Sequence, residues 1–127
     1  MYKKFCLIDI QENGIQLRLT IIDTPGFGDF IDNETCWKPI LECIEGRYDA
    51  FLEQESRVNR RKILDNRVHA LIYFIPPTGH CLRPIDIEFM KRLHHRVNII
   101  PVIAKSDTMT EEELHTFKLR VSENTLF

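Results

Sequence analysis

The sequence predicts an α/β fold that opens with an antiparallel hairpin and continues as a parallel strand, crossover helix, strand unit. Three observations carry this prediction. Two strand-like runs flank Glu12-Asn13-Gly14, two almost wholly apolar runs lie at 68–75 and 98–104, and a helix-period stretch starting at Pro84 lies between those runs. With 127 residues and 43% hydrophobic content, the chain is within the range of one ordinary globular domain.

Each element has its own signal. Lys4 to Ile10 and Ile15 to Ile22 are rich in β-formers. Asn-Gly between them is a strong hairpin signal, because both residues tolerate positive φ. Further on, Trp37, Ile40, Leu41, Ile44, Tyr48, Phe51 and Leu52 recur at helical spacing, and Pro39 is tolerable only in the first turn of that helix. Its polar continuation, Glu53 to Lys62, carries Arg57, Arg60, Arg61 and Lys62, a run that is either solvated or a contact for an acidic partner. Val68 to Ile75 has the composition of a strand buried on both faces, and it ends at the loop Pro76-Pro77-Thr78-Gly79.

Pro84 suits a helix start, Asp86 and Glu88 sit in early turns, and Lys91, Arg92 and Arg96 lie towards the end, in the sense the macrodipole favours. Ile85, Phe89, Met90, Leu93 and Val97 form its apolar stripe, and the strand Asn98 to Ala104 follows as the second half of a right-handed parallel unit. Pro101 is awkward for a central strand. Thr110 with Glu113 makes a capping box for a last helix with Leu114, Phe117 and Val121 on one face.

Composition excludes several function classes. A net charge of -2 provides no field for nucleic acid or an anionic membrane. No apolar run approaches the roughly 20 residues that span a bilayer, and the N-terminus has no signal-peptide pattern, so the chain reads as cytosolic. Cys6, Cys36, Cys43 and Cys81 form no C-x-x-C pair, which indicates neither zinc nor a disulfide framework and predicts buried thiols.

The chemistry concentrates in two stretches. Asp23-Thr24-Pro25-Gly26-Phe27-Gly28-Asp29 places an acid at the end of a strand and then enters a glycine-punctuated loop. Such an acid can hold Mg²⁺ through a water, since this ion keeps much of its hydration shell. A glycine three residues on lets a backbone N–H approach a terminal phosphate. Taken alone, the stretch reads better as an ordinary strand-to-loop turn, since Asp, Pro and Gly are also the commonest turn residues. The second stretch, Ala104-Lys105-Ser106-Asp107, lies at the carboxyl end of the last strand, the ligand edge of open α/β sheets. Asp107 can accept two hydrogen bonds from the N1–H and exocyclic amine of guanine, while the stem of Lys105 lies along the base. Adenine offers no such donor pair. The two stretches together, in this order, favour guanine nucleotide recognition.

Asp23 to Asp29, Cys36 to Ile40, Glu55 to Arg61, Asp65 to Ile75 and Thr78 to Asp107 all resemble the septin GTP-binding domain. Leu82-Arg83-Pro84-Ile85-Asp86 and Val97-Asn98-Ile99-Ile100-Pro101 are especially septin-like, and the resemblance runs over nearly the whole chain. It implies an incomplete Ras-like P-loop GTPase fold, three-layer α/β/α with a mostly parallel sheet and the N-terminal hairpin. It also implies GTP or GDP with Mg²⁺ at the interface between septin subunits, and assembly into hetero-oligomers and filaments of the cytoplasmic cytoskeleton, with the cytokinesis role of that family.

Carried over by position, Asp23 is the Mg²⁺-associated acid and Gly26 the γ-phosphate sensor, while Lys105 and Asp107 hold guanine. His80, Thr108 and Glu113 match positions at the nucleotide-facing subunit interface. Each of these three has a plainer competitor: a loop histidine, a turn residue and the capping partner of Thr110. His69, His94, His95 and His115 carry no assigned role.

No G-x-x-x-x-G-K-[ST] occurs in the sequence, so the loop that cradles the α- and β-phosphates, its lysine and the hydroxyl ligand of Mg²⁺ are not among these residues. The expectation is therefore a partial septin-type G domain over residues 1–127. It would lack the strand that in Ras-like topology lies between the hairpin and the Val68 to Ile75 strand, and the elements that would follow Phe127. The family's basic membrane segment is not in the sequence either, and membrane association has no support here. No catalytic residue is assigned. The rival expectation is an assembly module with a vestigial nucleotide site, or a truncated product without independent function.

Overall fold

The computed structural model describes residues 4–24, 36–58, 63–79 and 81–125. Pro25 to Asp29, with Gly26, and also Arg60, Arg61, Lys62 and His80 lie outside the described residues. The chain divides into two compact units, Met1–Ile40 and Leu41–Phe127.

In the first unit, β1 (Lys4–Glu12) and β2 (Ile15–Asp23) pair antiparallel with Glu12 opposite Ile15 and Lys4 opposite Asp23. Asn13 at φ 50° and Gly14 at φ 80° make the turn, both central residues being left-handed as a two-residue hairpin of right-handed twist requires. The register gathers Cys6, Ile8, Ile10, Leu17, Leu19 and Ile21 on one face, while the other carries Phe5, Leu7, Thr20 and Ile22 alongside Asp9, Gln11, Gln16 and Arg18, and there Arg18 Nε donates to Asp9 Oδ1 at 3.0 Å. The strand period thus shows as one mainly apolar face and one mixed face.

The second unit holds a parallel pair, β3 (Ala70–Ile75) and β4 (Asn98–Ile103), joined by α2 (Pro84–Leu93). Among the described residues the hairpin pairs only with itself and β3 only with β4. Beyond β4 the ladder gains one more bond, from Ala104 N–H to the Ile75 carbonyl at 2.9 Å. Pro101 stands opposite Tyr73 on β4, an edge strand of this pair, where a missing N–H is tolerated.

Two sequence expectations change. Val68 and His69 are not part of β3, and the strand is not buried on both faces: Tyr73 and Ile75 are buried, but Ile72 and Phe74 are 57% and 64% exposed. The reason is that only one face is packed, with the Tyr73 and Phe89 rings stacked at 4.9 Å between β3 and α2. Nor are the thiols buried. Cys6 and Cys81 are exposed and Cys36 and Cys43 half-buried, none of them in a disulfide, because Cys6 sits on an open hairpin face and Cys81 in a loop.

The helix α1 (Lys38–Ser56) carries Pro39 in its first turn, as its fixed φ and missing N–H require, and buries Ile40 and Ile44. It is stitched to the segment before β3. Arg47 Nη1 donates to the Asn66 carbonyl at 2.7 Å, Gln54 Oε1 accepts from Leu64 N–H at 3.1 Å, and the Arg67 guanidinium lies 4.0 Å from the Phe51 ring centroid. Arg67 also donates to both oxygens of Asp65, holding that carboxyl well below the usual carboxylate range. Arg57 is exposed and paired with Glu53 at 3.0 Å, which agrees with the solvated reading of this part of the basic run. Arg96 falls beyond the end of α2 and pairs with Glu45 of α1 at 3.1 Å.

The helix α3 (Glu111–Thr125) starts as predicted. Glu113 N–H donates to Thr110 Oγ1 at 3.3 Å and Glu113 Oε2 accepts from Thr110 N–H at 3.0 Å, a reciprocal capping box. It buries Phe117 and Val121, which with Phe89, Met90, Leu93 and Val97 form the core of the second unit.

Candidate functional site

The connection from β4 to α3 carries the proposed base-recognition residues. Lys105 adopts φ 48° and ψ 44°, a left-handed conformation that costs a side-chain-bearing residue free energy, and a single 3-10 turn over Ser106–Thr108 follows. The turn closes on itself: Thr108 N–H and Thr108 Oγ1 both donate to the Lys105 carbonyl, at 3.1 and 2.8 Å. Met109 N–H donates to the Ser106 carbonyl at 3.2 Å. This compact turn begins one residue past the Ala104 N–H bond to Ile75, so it is fixed to the carboxyl edge of the parallel pair.

Lys105, Asp107 and Thr108 are all exposed. Among the described residues, neither the Lys105 ammonium nor the Asp107 carboxylate has a hydrogen-bond or ion-pair partner. Asp107 can therefore accept two donors from a ligand without first breaking a protein contact. That is the chemistry a guanine edge requires.

Beside the turn lies a groove of about 530 Å³ lined by the β3–α2 loop, Thr108, Met109 and one side of α3. Thr78, Gly79, Glu112, Glu113, Thr116 and Arg120 contribute to its wall. Gly79 has φ 74°, a conformation that suits glycine, and its carbonyl accepts from Arg120 Nη1 at 3.4 Å. Thr108 and Glu113 line the groove and at the same time serve the plainer roles read from the sequence, Thr108 in the turn and Glu113 in the capping box. His80 is outside the described residues.

Asp23 is in the other unit, at the end of β2, exposed and opposite Lys4. Its carboxylate has no partner among the described residues. Gly26 lies outside the described residues. Among the described residues no group of three or more metal-ligating side chains converges, and no helix is long and apolar enough to cross a membrane.

Sequence reasoning missed one cluster entirely. Asp86, expected only as an early-turn acid, is fully buried at 0% exposure. Its carboxylate accepts from the Tyr73 hydroxyl at 2.7 Å and from Arg83 at Nη2 and Nε, at 2.8 and 2.9 Å. Burial first, and then this hydrogen bond, push the Tyr73 phenol well above its ordinary value, and the same carboxylate raises Arg83. The available signal was the i, i+3 spacing of Arg83 and Asp86 across a helix start, which matches an acid reaching back to the cap.

The septin family model matches residues 4–126. Septin-9 of Rattus norvegicus is 57% identical over 119 residues, covering 93% of this chain and 21% of the relative. Septin-4 of Mus musculus is 53% identical over 116 residues, covering 91% of this chain and 24% of the relative. The chain thus spans less than a quarter of each of these relatives' lengths. Among solved structures, Cdc11 of Saccharomyces cerevisiae superposes with a TM-score of 0.76 at 41% identity, over 94% of this chain and 51% of that one. The septin GTPase domain of Chlamydomonas reinhardtii gives 0.78 at 34% identity, over 94% and 41%. Its strands, helices and carboxyl-edge turn are those of a Ras-like α/β domain in part, and the chain belongs to the septin family.

Proposed function

We propose that this chain is a partial septin-type G domain whose Lys105-Ser106-Asp107 turn recognises guanine in GTP or GDP. One observation carries the reading: an exposed carboxylate, without a partner among the described residues, on a tightly closed turn that opens with a left-handed residue at the carboxyl edge of the parallel pair, in a chain of this family. Asp107 takes the two donors of guanine and the Lys105 stem covers the base. Asp23 is the acid associated with Mg²⁺ through water, and Gly26 the γ-phosphate sensor. The ion supplies charge neutralisation of the phosphates when bound. His80, Thr108 and Glu113 face the adjoining septin subunit, so that nucleotide and subunit contact share one edge, and assembly into hetero-oligomers and filaments of the cytoskeleton follows from that arrangement.

Magnitude limits what these residues do unaided. Hydrogen bonds to a charged group contribute about 1.5–3 kcal/mol each, so a two-bond clamp supplies roughly 3–6 kcal/mol. Association costs on the order of 4–15 kcal/mol in lost freedom. The clamp therefore selects the base, and tight binding requires a phosphate-cradling loop that these 127 residues do not contain.

The test is sedimentation of the protein together with its partner septins, with guanine nucleotide present, comparing wild type with Asp107→Ala. Loss of bound nucleotide together with a looser assembly supports the reading. Assembly indifferent to Asp107→Ala contradicts it and favours an assembly module with a vestigial site.

A further inference from the structure

Asp86 is the buried charge of the described core, and its surroundings differ from those of an ordinary helix cap. A carboxylate withdrawn from water is tolerated only when donors surround it, and an apolar side chain of similar volume fills such a place at a lower desolvation cost. Helix α2 needs no such group, since an exposed polar cap would satisfy its first N–H groups. What the buried carboxylate does is structural in a specific sense. Tyr73 stands on β3 just before the 76–82 loop and Arg83 stands just after it. The Tyr73 hydroxyl and Arg83 Nη2 meet at Asp86 Oδ1, while Arg83 Nε and its backbone N–H, the latter at 3.2 Å, meet at Oδ2. One side chain therefore staples both stems of the loop.

The loop is also braced internally. Thr78 N–H donates to the Pro76 carbonyl at 2.8 Å and Thr78 Oγ1 to the Cys81 carbonyl at 3.1 Å. From outside, Arg120 of α3 donates to the Gly79 carbonyl. Thr78 and Gly79 then form part of the groove wall facing Thr108 and Glu113.

We propose that Asp86 is a positioning residue: through Tyr73 and Arg83 it fixes the stems of the loop between β3 and α2 so that Thr78 and Gly79 keep their place in the groove wall. The geometry stands by itself; the functional value of the groove rests on the reading given above, in which this edge faces nucleotide and the adjoining subunit. Asp86 touches neither and acts only through the loop.

The test is amide hydrogen exchange on the full 127-residue chain, without ligand, for wild type, Asp86→Asn and Tyr73→Phe. Asp86→Asn keeps the volume but turns one acceptor oxygen into a donor group facing Arg83. The expected result is exchange at Thr78, whose N–H is held by the Pro76 carbonyl, faster by about tenfold or more, with β4 and α3 amides unchanged within about twofold. Tyr73→Phe removes one donor and leaves Arg83 in place, so a smaller acceleration confined to the same loop is expected. Loop amides that do not change in either variant overturn the proposal. So does acceleration that spreads equally through β4 and α3, because the cluster then supports the whole unit and no particular loop. If Asp86→Asn does not fold, the Tyr73→Phe pattern decides by the same criterion. Since no nucleotide is used, this outcome is independent of Asp107→Ala, which tests the guanine reading.

Discussion

The capping box of α3 separates two roles for Glu113. Thr110→Ala removes the acceptor of the 3.3 Å bond from Glu113 N–H and the hydroxyl that donates to Glu113 Oε2 at 3.0 Å, but leaves the 3.0 Å bond from Thr110 N–H. Loss of an N-cap side chain costs about 0.5–2 kcal/mol, and the 3.3 Å length of the lost cap bond places this case near 1 kcal/mol. The first-turn acids Glu111, Glu112 and Glu113 keep their favourable interaction with the macrodipole in that variant. Because α3 buries Phe117 and Val121, its fraying removes core and the loss is felt by the whole unit. Glu113→Gln retains an acceptor for Thr110 N–H and loses only the first-turn charge, about 0.3 kcal/mol at an exposed, salt-screened position. Urea denaturation followed by far-ultraviolet circular dichroism measures both. A Thr110→Ala variant as stable as wild type, or a Glu113→Gln variant that loses as much as Thr110→Ala, refutes the capping argument. Glu113→Gln that keeps its stability but associates less well with partner septins places Glu113 at the interface in addition to the cap.

Three further changes probe the turn, the core and the ion pairs. Lys105→Gly relieves a left-handed conformation at φ 48° and should raise stability by up to about 1 kcal/mol while removing the stem that covers the base, so stability and guanine response should move in opposite directions in paired denaturation and titration experiments. Leu93→Ala, at a fully buried position, should cost about 2–5 kcal/mol by denaturation; a loss below about 1 kcal/mol contradicts the assigned core. Asp65, held below its usual range chiefly by the Arg67 side chain, contributes stability that is present above the unfolded value of about 3.9 and is lost as pH falls through the lower folded value. Asp65→Asn should therefore destabilise modestly at pH 7, with a difference from wild type that shrinks below about pH 4; a difference constant over that range removes the ion-pair explanation.

What the sequence disclosed depended on whether a residue's role is local. Asn13-Gly14, Pro84 and the Thr110 and Glu113 pair act within a few positions of themselves, and each element began where they placed it. Phe89, Met90, Leu93, Phe117 and Val121 were legible because helical spacing alone puts them on one face. Asp86 was not, since its burial depends on Tyr73, which comes from another element and reads only as a β-former. The exposure of Ile72 and Phe74 was hidden for a related reason: an apolar run does not say how many of its faces are packed. At the site, residue chemistry pointed to Lys105 and Asp107, but nothing in a lysine announces a left-handed backbone.

The central claim is that the Lys105 to Asp107 turn selects guanine but holds it weakly without a phosphate loop. Titration of this chain with GDP and, separately, ADP, followed by backbone amide shifts, tests it directly. The account predicts guanine-specific shifts at 105–108 with a dissociation constant of roughly 1 mM or weaker, abolished by Asp107→Ala. Sub-micromolar GDP binding, or an equal response to ADP, would contradict it.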